Sequence, residues 1–406
     1  MSFLDKLLED VAVEWKPLGD FTNYEQPTKY LVSSKNYNDN FLTPVLTAGK
    51  TFILGYTNET EGIYKASEQP VIIFDDFTTA NKWVDIDFKA KSSAMKMITS
   101  KDESKASLKY IYYWLNTLPS ELVDGDHKRQ WISNYSKKRI PIPCPDNPKK
   151  SLEIQQKIVA ILDSFAELTS ELTSELTSEL TSRKQQYSYY REKLFNFNEN
   201  EVQHLPMGDE NIGQFQRGKR FVKTDLISKG VPTIHYGEMY THYGTWTDET
   251  ISFVSEKLVN DRGLRLAEKG DVVIVAAGET IEDIGMGTAW LGDEGVVVHD
   301  ACFSYKTILN PKFVAYFTRT KQFHDQIKKH ISSGKISAIN AKGLGKAIIP
   351  VPSNEEQERI VAILDKFDIL TNSISEGLPK EIELRKKQYE YYRDMLLTFP
   401  KDNLEE

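Results

Sequence analysis

The sequence lacks the features that mark membrane, secreted and disulfide-rich proteins. No apolar run reaches the roughly eighteen residues that a membrane-spanning helix needs. The N-terminus, MSFLDKLLEDV, has no basic start and no unbroken apolar stretch, so no secretion signal is predicted. Two cysteines, Cys144 and Cys302, are too few for a disulfide framework or a cysteine-based zinc site. A cytoplasmic protein is expected, and 406 residues suggest two or three domains.

The motifs of common catalytic sites are also missing. Asn310-Pro311-Lys312-Phe313 departs from the N-P-P-[YF] motif of adenine methylation, and Gly343-Leu344-Gly345-Lys346 lacks the earlier glycine of a P-loop. The seven histidines show no metal-ligand spacing, and nothing selects a nucleophile–base triad. We therefore predict no catalytic residue, no metal site and no cofactor in this chain.

The charge is unevenly distributed along the chain. The net charge is −8, which taken alone argues against binding to nucleic acid. However, residues 128–150 carry seven basic residues against one acidic residue, and residues 312–346 carry eight against one. A phosphate backbone responds to the local charge, so both segments are compatible with DNA, although either alone is also typical of a solvated surface.

The chain contains an internal duplication. IVAILDSF at residues 158–165 returns as IVAILDKF at 360–367, and RKQQYSYYREKLFNF at 183–197 returns as RKKQYEYYRDMLLTF at 385–399. Both pairs are offset by 202 residues. Upstream, IPIP at 140–143 matches IPVP at 349–352. Each half therefore consists of a variable block, a proline-rich junction and a repeated segment.

The repeated segments are predicted to be long helices. Apolar residues recur at alternating spacings of four and three, beginning at Ile154 in the first copy and Ile360 in the second. Gly377 and Pro379 predict an interruption of the second helix. With one apolar seam on each of two helices, the sequence favours an intramolecular antiparallel coiled coil that acts as a spacer.

Within the first helix lies a tandem TSEL repeat, residues 169–180. Its leucines drift slowly around one face of the helix, and its glutamates recur at i, i+4, a spacing that suits a solvated face. One interpretation is low complexity tolerated on a helix. The other is a length adjuster, because each unit changes the helix length by about 6 Å.

The variable blocks share little sequence but have similar composition. Short β-rich runs occur at residues 70–74, 271–275 and 295–298. Amphipathic helical stretches occur at 108–118, before the first basic segment, and at 313–331, within the first part of the second. An α/β globule with polar loops is the natural prediction for each block.

Taken together, the duplicated (I/V)P(I/V)P–EQ–IVAILD–helix–RK(Q/K)QYxYYR pattern resembles the specificity subunits of bacterial type I restriction–modification enzymes. The TSEL units are similar to the tetrapeptide spacer repeats of one group (type IC-like). The resemblance implies an α+β fold with two α/β target recognition domains, two long helices as an antiparallel coiled coil, and pseudo-two-fold symmetry. The corresponding domains are residues 1–143 and 200–352 for recognition, and 144–199 and 353–406 for the spacers.

The resemblance also implies partners. Each recognition domain would read one half of a split, asymmetric site in double-stranded DNA, and the spacers would dock two methylation subunits. Those partners would carry S-adenosylmethionine and methylate adenine N6, while restriction subunits use ATP and magnesium. No membrane partner is implied, and no catalytic step belongs to this chain.

Candidate contact residues follow from loop chemistry and charge. For DNA they are Lys50, Thr78, Thr79, Asn81, Lys82, Lys128, Arg129, Lys137, Lys138, Arg217, Lys219, Arg220, Ser333, Lys335, Ser337, Asn340 and Lys342. For the spacer and its partners they are Leu168, Leu172, Leu176, Leu180, Tyr187, Tyr190, Tyr389 and Tyr392. The tyrosines suit either methylation subunits or coiled-coil packing, and we favour packing.

Two other functions compete with DNA recognition inside a larger enzyme. The first is a self-contained DNA methyltransferase or nuclease, for which the duplication leaves little room. The second is a coiled-coil scaffold without a DNA role, which does not explain two unlike blocks on like helices.

Overall fold

The computed structural model describes residues 7, 11–49, 51–119, 129–198, 200–334, 336–373 and 376–399, apart from the side chain of residue 240. Three candidate DNA contacts, Lys50, Lys128 and Lys335, lie outside this part of the chain. The protein divides into two compact units: unit 1 is Met1–Glu175 with Glu383–Glu406, and unit 2 is Leu176–Ile382. The divisions therefore lie inside the predicted spacer helices.

Unit 1 is built on three small sheets. Its strands are β1 (Val13–Pro17), β2 (Thr22–Glu25), β3 (Thr43–Leu46), β4 (Ile53–Thr57), β5 (Val71–Asp75), β6 (Asn81–Val84), β7 (Lys89–Ala90), β8 (Met95–Ser100) and β9 (Arg139–Pro143). The strand orders are β2-β8-β5-β6, β4-β3-β7 and β1-β9. Its helices are α1 (Leu18–Phe21), α2 (Leu108–Leu115), α3 (Gln130–Ser133) and the first part of α4 (Pro148–Leu194).

Unit 2 has larger sheets. Its strands are β10 (Gln203–Pro206), β11 (Gly213–Arg217), β12 (Val231–Ile234), β13 (Trp246–Thr247), β14 (Ser252–Val254), β15 (Leu266–Ala267), β16 (Val272–Val275), β17 (Ala277–Gly278), β18 (Gly287–Trp290), β19 (Val296–Val298), β20 (Cys302–Thr307), β21 (Ser337–Ala338) and β22 (Ile348–Val351). The strand orders are β11-β20-β16-β18-β13, β14-β12-β19-β15, β10-β22 and β17-β21.

The remaining helices complete unit 2 and return the chain to unit 1. They are α5 (Glu238–Thr241), α6 (Glu256–Arg262), α7 (Pro311–Phe317), α8 (Lys321–Ile327), α9 (Ala341–Leu344), α10 (Asn354–Asn372) and α11 (Leu378–Leu396). Helix α10 ends at Asn372 and α11 begins at Leu378, which confirms the predicted interruption near Gly377 and Pro379.

Both units close their blocks with the same two-stranded element. In unit 1, β1 pairs antiparallel with β9, and Trp15 lies opposite Pro141. In unit 2, β10 pairs antiparallel with β22, and Leu205 lies opposite Ile349. The matched IPIP and IPVP segments are therefore the closing strands of the two blocks. Each one leads directly into a spacer helix.

The repeated helices pair within each unit. In unit 1, Phe165 of α4 packs its ring against Tyr392 of α11, with centroids 5.5 Å apart. In unit 2, Tyr187 of α4 stacks on Phe367 of α10 at 6.1 Å. The start of α4 thus pairs with the later helix and its end with the earlier one. Both parts of α4 therefore pack against helices of the second repeated segment, each within its own unit.

The cores of the two units reach from the sheets to the spacer. Ile158 and Leu162 of α4 are fully buried beside Leu396 in the main core of unit 1. Ile360 and Leu364 of α10 occupy the matching places in unit 2. Burying an isoleucine or leucine stabilises a fold by roughly 1.5–3 kcal/mol, so each spacer helix is an integral part of its unit.

Candidate DNA interface

A buried glutamine on each spacer helix accepts a hydrogen bond at the N-cap of a helix in the preceding variable block. Gln155 Oε1 accepts a hydrogen bond from the backbone N–H of Ser107, the N-cap of α2, at 3.0 Å. Gln357, 202 residues later, accepts from the N–H of Asn310, the N-cap of α7, at 2.8 Å. Both amides are buried, so losing either would leave unpaired polar groups in the core. The glutamines therefore fix where each block helix begins.

A second contact, about two helical turns further along the spacer, joins the same elements in unit 1. Asp163 of α4 accepts a hydrogen bond from the Tyr113 hydroxyl and lies 3.3 Å from Lys109 Nζ. The Lys109 ammonium also stands over the Trp83 ring, 4.4 Å from its centroid. Burial and the neighbouring Asp163 raise the pKa of Tyr113 well above its usual value, so its hydroxyl stays a donor.

Unit 2 repeats this arrangement with other residues. Asp365 of α10 accepts from the Tyr316 hydroxyl at 2.7 Å and from Lys312 Nζ. The Lys312 ammonium stands over the Trp246 ring at 4.5 Å. We call each set of aspartate, lysine, tyrosine and tryptophan a clasp. Neither clasp is predicted by the sequence pattern, although the Lys-x-x-x-Tyr spacing of α2 recurs in α7.

The first group of candidate residues in unit 1 lies on the hairpin between β5 and β6. Asp75 Oδ1 accepts from the backbone N–H groups of Phe77 and Thr78, at 2.9 and 3.2 Å, and this closes the turn. Thr79 has a φ of 61° and a buried side chain. Thr78 is exposed, so of these two threonines it is the one that presents a hydroxyl to a ligand.

The next two candidates on this hairpin differ in accessibility. Asn81 Oδ1 accepts from Asn116 Nδ2 at 3.0 Å, which ties the hairpin to the end of α2. Lys82 is exposed, and its ammonium lies 5.3 Å from the centroid of the Phe52 ring. Thr78 and Lys82 are therefore the accessible polar groups among these hairpin candidates.

The structure brings this hairpin to the basic segment that begins at residue 129. The Trp131 N–H donates to Asp76 Oδ1 at 2.9 Å, and Lys96 Nζ lies 3.5 Å from Asp76 Oδ2. In the amide orientation that satisfies both of its groups, Gln26 accepts from Lys96 Nζ and from Arg129 at 3.0 and 2.8 Å. The candidates Lys137 and Lys138 follow on the same segment, exposed and half-buried respectively.

In unit 2, Gly218 shapes the loop that carries Arg217, Lys219 and Arg220. A Cβ at Gly218 would lie 2.2 Å from the carbonyl oxygen of His299, so only glycine fits at this place. The close approach holds the loop against the end of β19. Arg217 and Arg220 remain exposed, and Lys219 is half-buried.

Two further arginines, which the sequence analysis missed, join this loop. Arg265 donates to the Arg217 carbonyl at 2.7 Å, and Lys219 Nζ donates to the Arg262 carbonyl at 3.3 Å. Arg262 and Arg265 are both exposed. In the sequence they belong to a mainly acidic stretch more than forty residues away from Arg217. We call Arg217, Lys219, Arg220, Arg262 and Arg265 the basic cluster of unit 2.

A buried histidine supports the basic cluster. His299 Nδ1 accepts from the Ala301 N–H at 3.1 Å, and its Nε2 lies 3.0 Å from the Phe221 carbonyl. This pattern fits a neutral imidazole with its proton on Nε2, although the Asp300 carboxylate, 3.2 Å from Nδ1, favours the protonated ring. Burial lowers the pKa of His299 below its usual value, and the Arg220 charge lowers it further. The loop therefore rests on an uncharged ring.

The last candidates lie on the loop between α8 and α9, which contains β21, and on α9 itself. Ser333 is exposed, whereas Ser337 is buried and pairs with Gly278 across the β17–β21 ladder. Asn340 caps α9 by accepting from the Gly343 N–H at 2.8 Å. Lys342 is exposed on the first turn of α9.

The spacer candidates divide into packed and accessible residues. Tyr187 is buried, Tyr389 and Tyr392 are half-buried, and Tyr190 is 40% exposed although it stacks on Phe367. Burial raises the pKa of Tyr389 to about 12. Tyr187, Tyr190 and Tyr392 thus make ring contacts within their own units.

The leucines of the TSEL region are less buried than a seam requires. Leu172, Leu176 and Leu180 are half-buried, and Leu168 is 52% exposed. Leu168, the fifth apolar residue of the alternating spacing that begins at Ile154, is therefore not buried in the way that a seam residue would be. It lies where the 3.5-residue apolar pattern gives way to a four-residue repeat, which rotates about 40° per unit on an α-helix.

Among the residues that the structure describes, no group of three or more histidine, cysteine, aspartate or glutamate side chains is arranged to hold a metal ion. No helix among them is both long and apolar enough to cross a membrane. What the geometry does provide is two unlike polar surfaces on two like helical supports.

Comparison with known proteins agrees with this division of the chain. Residues 11–182 and 210–384 each match the model of the type I restriction modification DNA specificity domain. Over 408 aligned residues, the chain is 52% identical to the EcoR124I/EcoR124II type I restriction enzyme specificity subunit of Escherichia coli, covering 99% of this chain and 98% of the relative. The EcoprrI type I specificity subunit of the same species is 28% identical, with 93% and 92% covered.

A solved structure shows the same fold. It is a chain from a study of complex assembly and conformational transition in a type I restriction–modification system. The TM-score is 0.64 at 16% identity, over 95% of this chain and 97% of the other. Two copies of the specificity domain, one in each half of a duplicated sequence, establish the family: the chain belongs to the DNA specificity subunits of type I restriction–modification systems.

Proposed function

We propose that each recognition block reads one half of a bipartite, asymmetric DNA site. The observation that carries this proposal is the clasp, which holds two unlike surfaces on matching helices. Unit 1 offers Thr78, Lys82 and Arg129, whereas unit 2 offers its basic cluster. Different side chains present different donors to base edges and phosphates, so two unlike blocks favour two unlike half-sites.

The spacer helices set the distance between the half-sites. Helix α4 has 47 residues, which corresponds to a length of about 70 Å. Its TSEL repeat is helical and its glutamates are exposed, which supports a length adjuster of the tetrapeptide-repeat type. Because the repeat leucines are only half-buried, a change of repeat number disturbs little packing.

Partner subunits supply the chemistry. Two methylation subunits dock on the spacer helices and carry S-adenosylmethionine for adenine-N6 methylation. Restriction subunits join through them and use ATP and magnesium. The chain itself binds double-stranded DNA and needs no cofactor. Tyr189 and Tyr391 are 58% and 65% exposed, more than the other large apolar or aromatic side chains described on the repeated helices, and are candidates for this docking.

Exchange of one block tests independent reading. Residues 202–352 are replaced by the corresponding block of another specificity subunit, and methylated sites are mapped in cells that contain the partners. We expect one half-site to change while the other half and the gap stay constant. Exchange of residues 14–143 is the matched control and should change the opposite half. A change in both halves after either exchange would contradict the proposal.

Repeat number tests the spacer. Deleting one TSEL unit should shorten the gap or abolish modification at the original site, whereas a length-preserving Thr173→Ala, Ser174→Ala substitution should leave the site unchanged. An unaltered site after the deletion would exclude the length adjuster.

Two assays separate this function from its competitors. Methylation of DNA by the purified chain with S-adenosylmethionine alone would show a self-contained enzyme. The absence of salt-sensitive binding to duplex DNA, for the chain with its partners, would favour a scaffold.

A further inference from the structure

Unit 2 contains a cavity of about 600 Å³ between α4, α10 and the residues that precede β13. Its walls include two arginines, Arg191 and Arg319, and a single acidic residue, Asp368. Arg319 follows α7, and Arg191 lies near the end of α4. Because Asp368 also accepts from Asn372 Nδ2 at 2.7 Å, its charge is shared. The cavity therefore has an excess of positive charge.

The two guanidinium groups are incompletely satisfied by the protein. Arg319 donates through one terminal nitrogen to the carbonyl oxygens of Gly244 and Gly287, at 2.8 and 3.0 Å. Its Nε and that of Arg191 are buried without an acceptor, among only four such side-chain atoms in the described residues. Buried guanidinium donors without partners are rare in folded proteins and usually indicate a missing ion or water.

The positive charges of the two arginines also oppose each other. Burial lowers the pKa of Arg319, and the charge of Arg191 lowers it further. The Arg191 guanidinium lies over the Tyr187 ring, 5.3 Å from its centroid, which offsets only part of its desolvation. An anion between the two arginines would relieve both the repulsion and the unpaired donors.

We propose that this cavity binds a phosphate group, carried either by free phosphate or a nucleotide, or by a nucleic acid backbone. Paired guanidinium groups suit an anion with several oxygens. The volume exceeds what a lone carboxylate needs, and the rings of His242, Tyr243 and Trp246 line it beside the arginines. Those rings suit a phosphate that bears a flat base.

Unit 1 provides a natural comparison. By the 202-residue offset Arg191 corresponds to Arg393, which pairs with the neighbouring Asp394 at 2.7 Å. By the clasp alignment, Lys109 with Lys312, Arg319 corresponds to Asn116. Asn116 donates to Asn81 Oδ1 and to the Tyr112 carbonyl and carries no charge. The paired guanidinium arrangement is therefore specific to unit 2.

Calorimetric titration of the full chain with inorganic phosphate, AMP and acetate tests the site. We expect phosphate and AMP to bind one site, with affinity at least about tenfold lower in Arg191→Gln and in Arg319→Asn. Arg359→Gln, which removes an exposed guanidinium paired with Glu356, should bind like the unaltered chain. Acetate should bind more weakly than phosphate.

Competition identifies the source of the phosphate. If AMP displaces a DNA duplex and Arg191→Gln weakens DNA binding, the phosphate comes from the backbone. If AMP binds without displacing DNA, it is a free ligand; both results support the site. Circular dichroism identifies a variant that fails to fold. Arg319 also donates to two backbone carbonyls, so if Arg319→Asn does not fold, the binding measured with Arg191→Gln alone tests the proposal. Equal binding by the variants, no binding of phosphate or AMP, or tighter binding of acetate would each overturn the proposal.

Discussion

The two clasps allow one substitution to be compared at two matched places. Asp365→Asn removes the negative charge that Lys312 and Tyr316 share in unit 2, and Asp163→Asn does the same to Lys109 and Tyr113 in unit 1. The substitutions are isosteric, so they change charge and hydrogen bonding without creating a cavity. The clasps differ in burial: Lys312 and Asp365 side chains are 17% and 25% exposed, whereas Lys109 and Asp163 are 29% and 45% exposed.

The burial of each ion pair determines how much unfolding free energy its substitution should remove. Breaking a fully buried ion pair costs about 3–5 kcal/mol, and an exposed pair contributes about 0–1 kcal/mol. The clasp of unit 2 lies nearer the first limit, so Asp365→Asn should lower the free energy of unfolding of unit 2 by about 2–3 kcal/mol. Solvent screens the unit 1 pair, so Asp163→Asn should lower that of unit 1 by about 1 kcal/mol.

Hydrogen–deuterium exchange resolved by peptide measures each unit separately, which a single melting temperature does not do for a chain with two units. Glu358→Gln is the control, because it removes an equal charge from an exposed position on α10. Equal losses in the two units, or a larger loss from Asp163→Asn, would refute burial as the determinant. Losses below about 0.5 kcal/mol at both positions would refute the stabilising role of the clasp itself.

Three further outcomes concern unit 2. Gly218→Ala should weaken DNA binding and destabilise unit 2, because the added Cβ would meet the His299 carbonyl. Gly244→Ala is the control: a Cβ at Gly244 meets open space, so this variant should keep the fold. Equal stability of the two variants would contradict this reasoning. Arg265→Gln should weaken DNA binding on all sequences and reduce the salt dependence by about one ion, as titrations at several salt concentrations can show. NMR titration should give His299 a pKa below 6.5, since burial disfavours its charged form. The stability that the neutral ring contributes is then fully present above pH 6.5 and is lost as the pH falls through the lower pKa of the folded state. A measured pKa above 6.5 would show that the ring is not buried as described.

The helices were predictable because their signals are local and occur twice. Apolar spacing and the offset between Ile158 and Ile360 indicate two like helices, and Gly377 with Pro379 marks the break. The clasps were not predicted, because Asp163 meets Lys109 only through tertiary packing. Arg265 was hidden for a related reason: the surrounding acidic residues dominate its sequence neighbourhood, whereas the fold places it beside Arg217. Local periodicity is readable from one sequence, and convergence of distant loops is not.

The length of the TSEL unit has a geometric consequence if α4 lies along the DNA axis. Four residues advance an α-helix by about 6 Å and rotate it about 40° beyond a full turn. On B-DNA, 6 Å corresponds to about 1.8 base pairs and a rotation of about 60°. Adding one TSEL unit therefore leaves the recognition block that follows it rotated by only about 20° relative to the DNA groove that it faced before.

Other insertion lengths lack this match. Three residues advance the helix about 4.5 Å but rotate it about 60° in the opposite sense, while the DNA turns forward by about 45°. The second block would then face the DNA more than about 100° away from its groove. We expect a fourth TSEL unit to give modification at a longer gap, and a three-residue insertion at the same place to abolish modification while leaving both units folded. Equal activity of the two variants, measured by mapping methylated sites, would show that the spacer transmits length without rotation and that four residues have no special role.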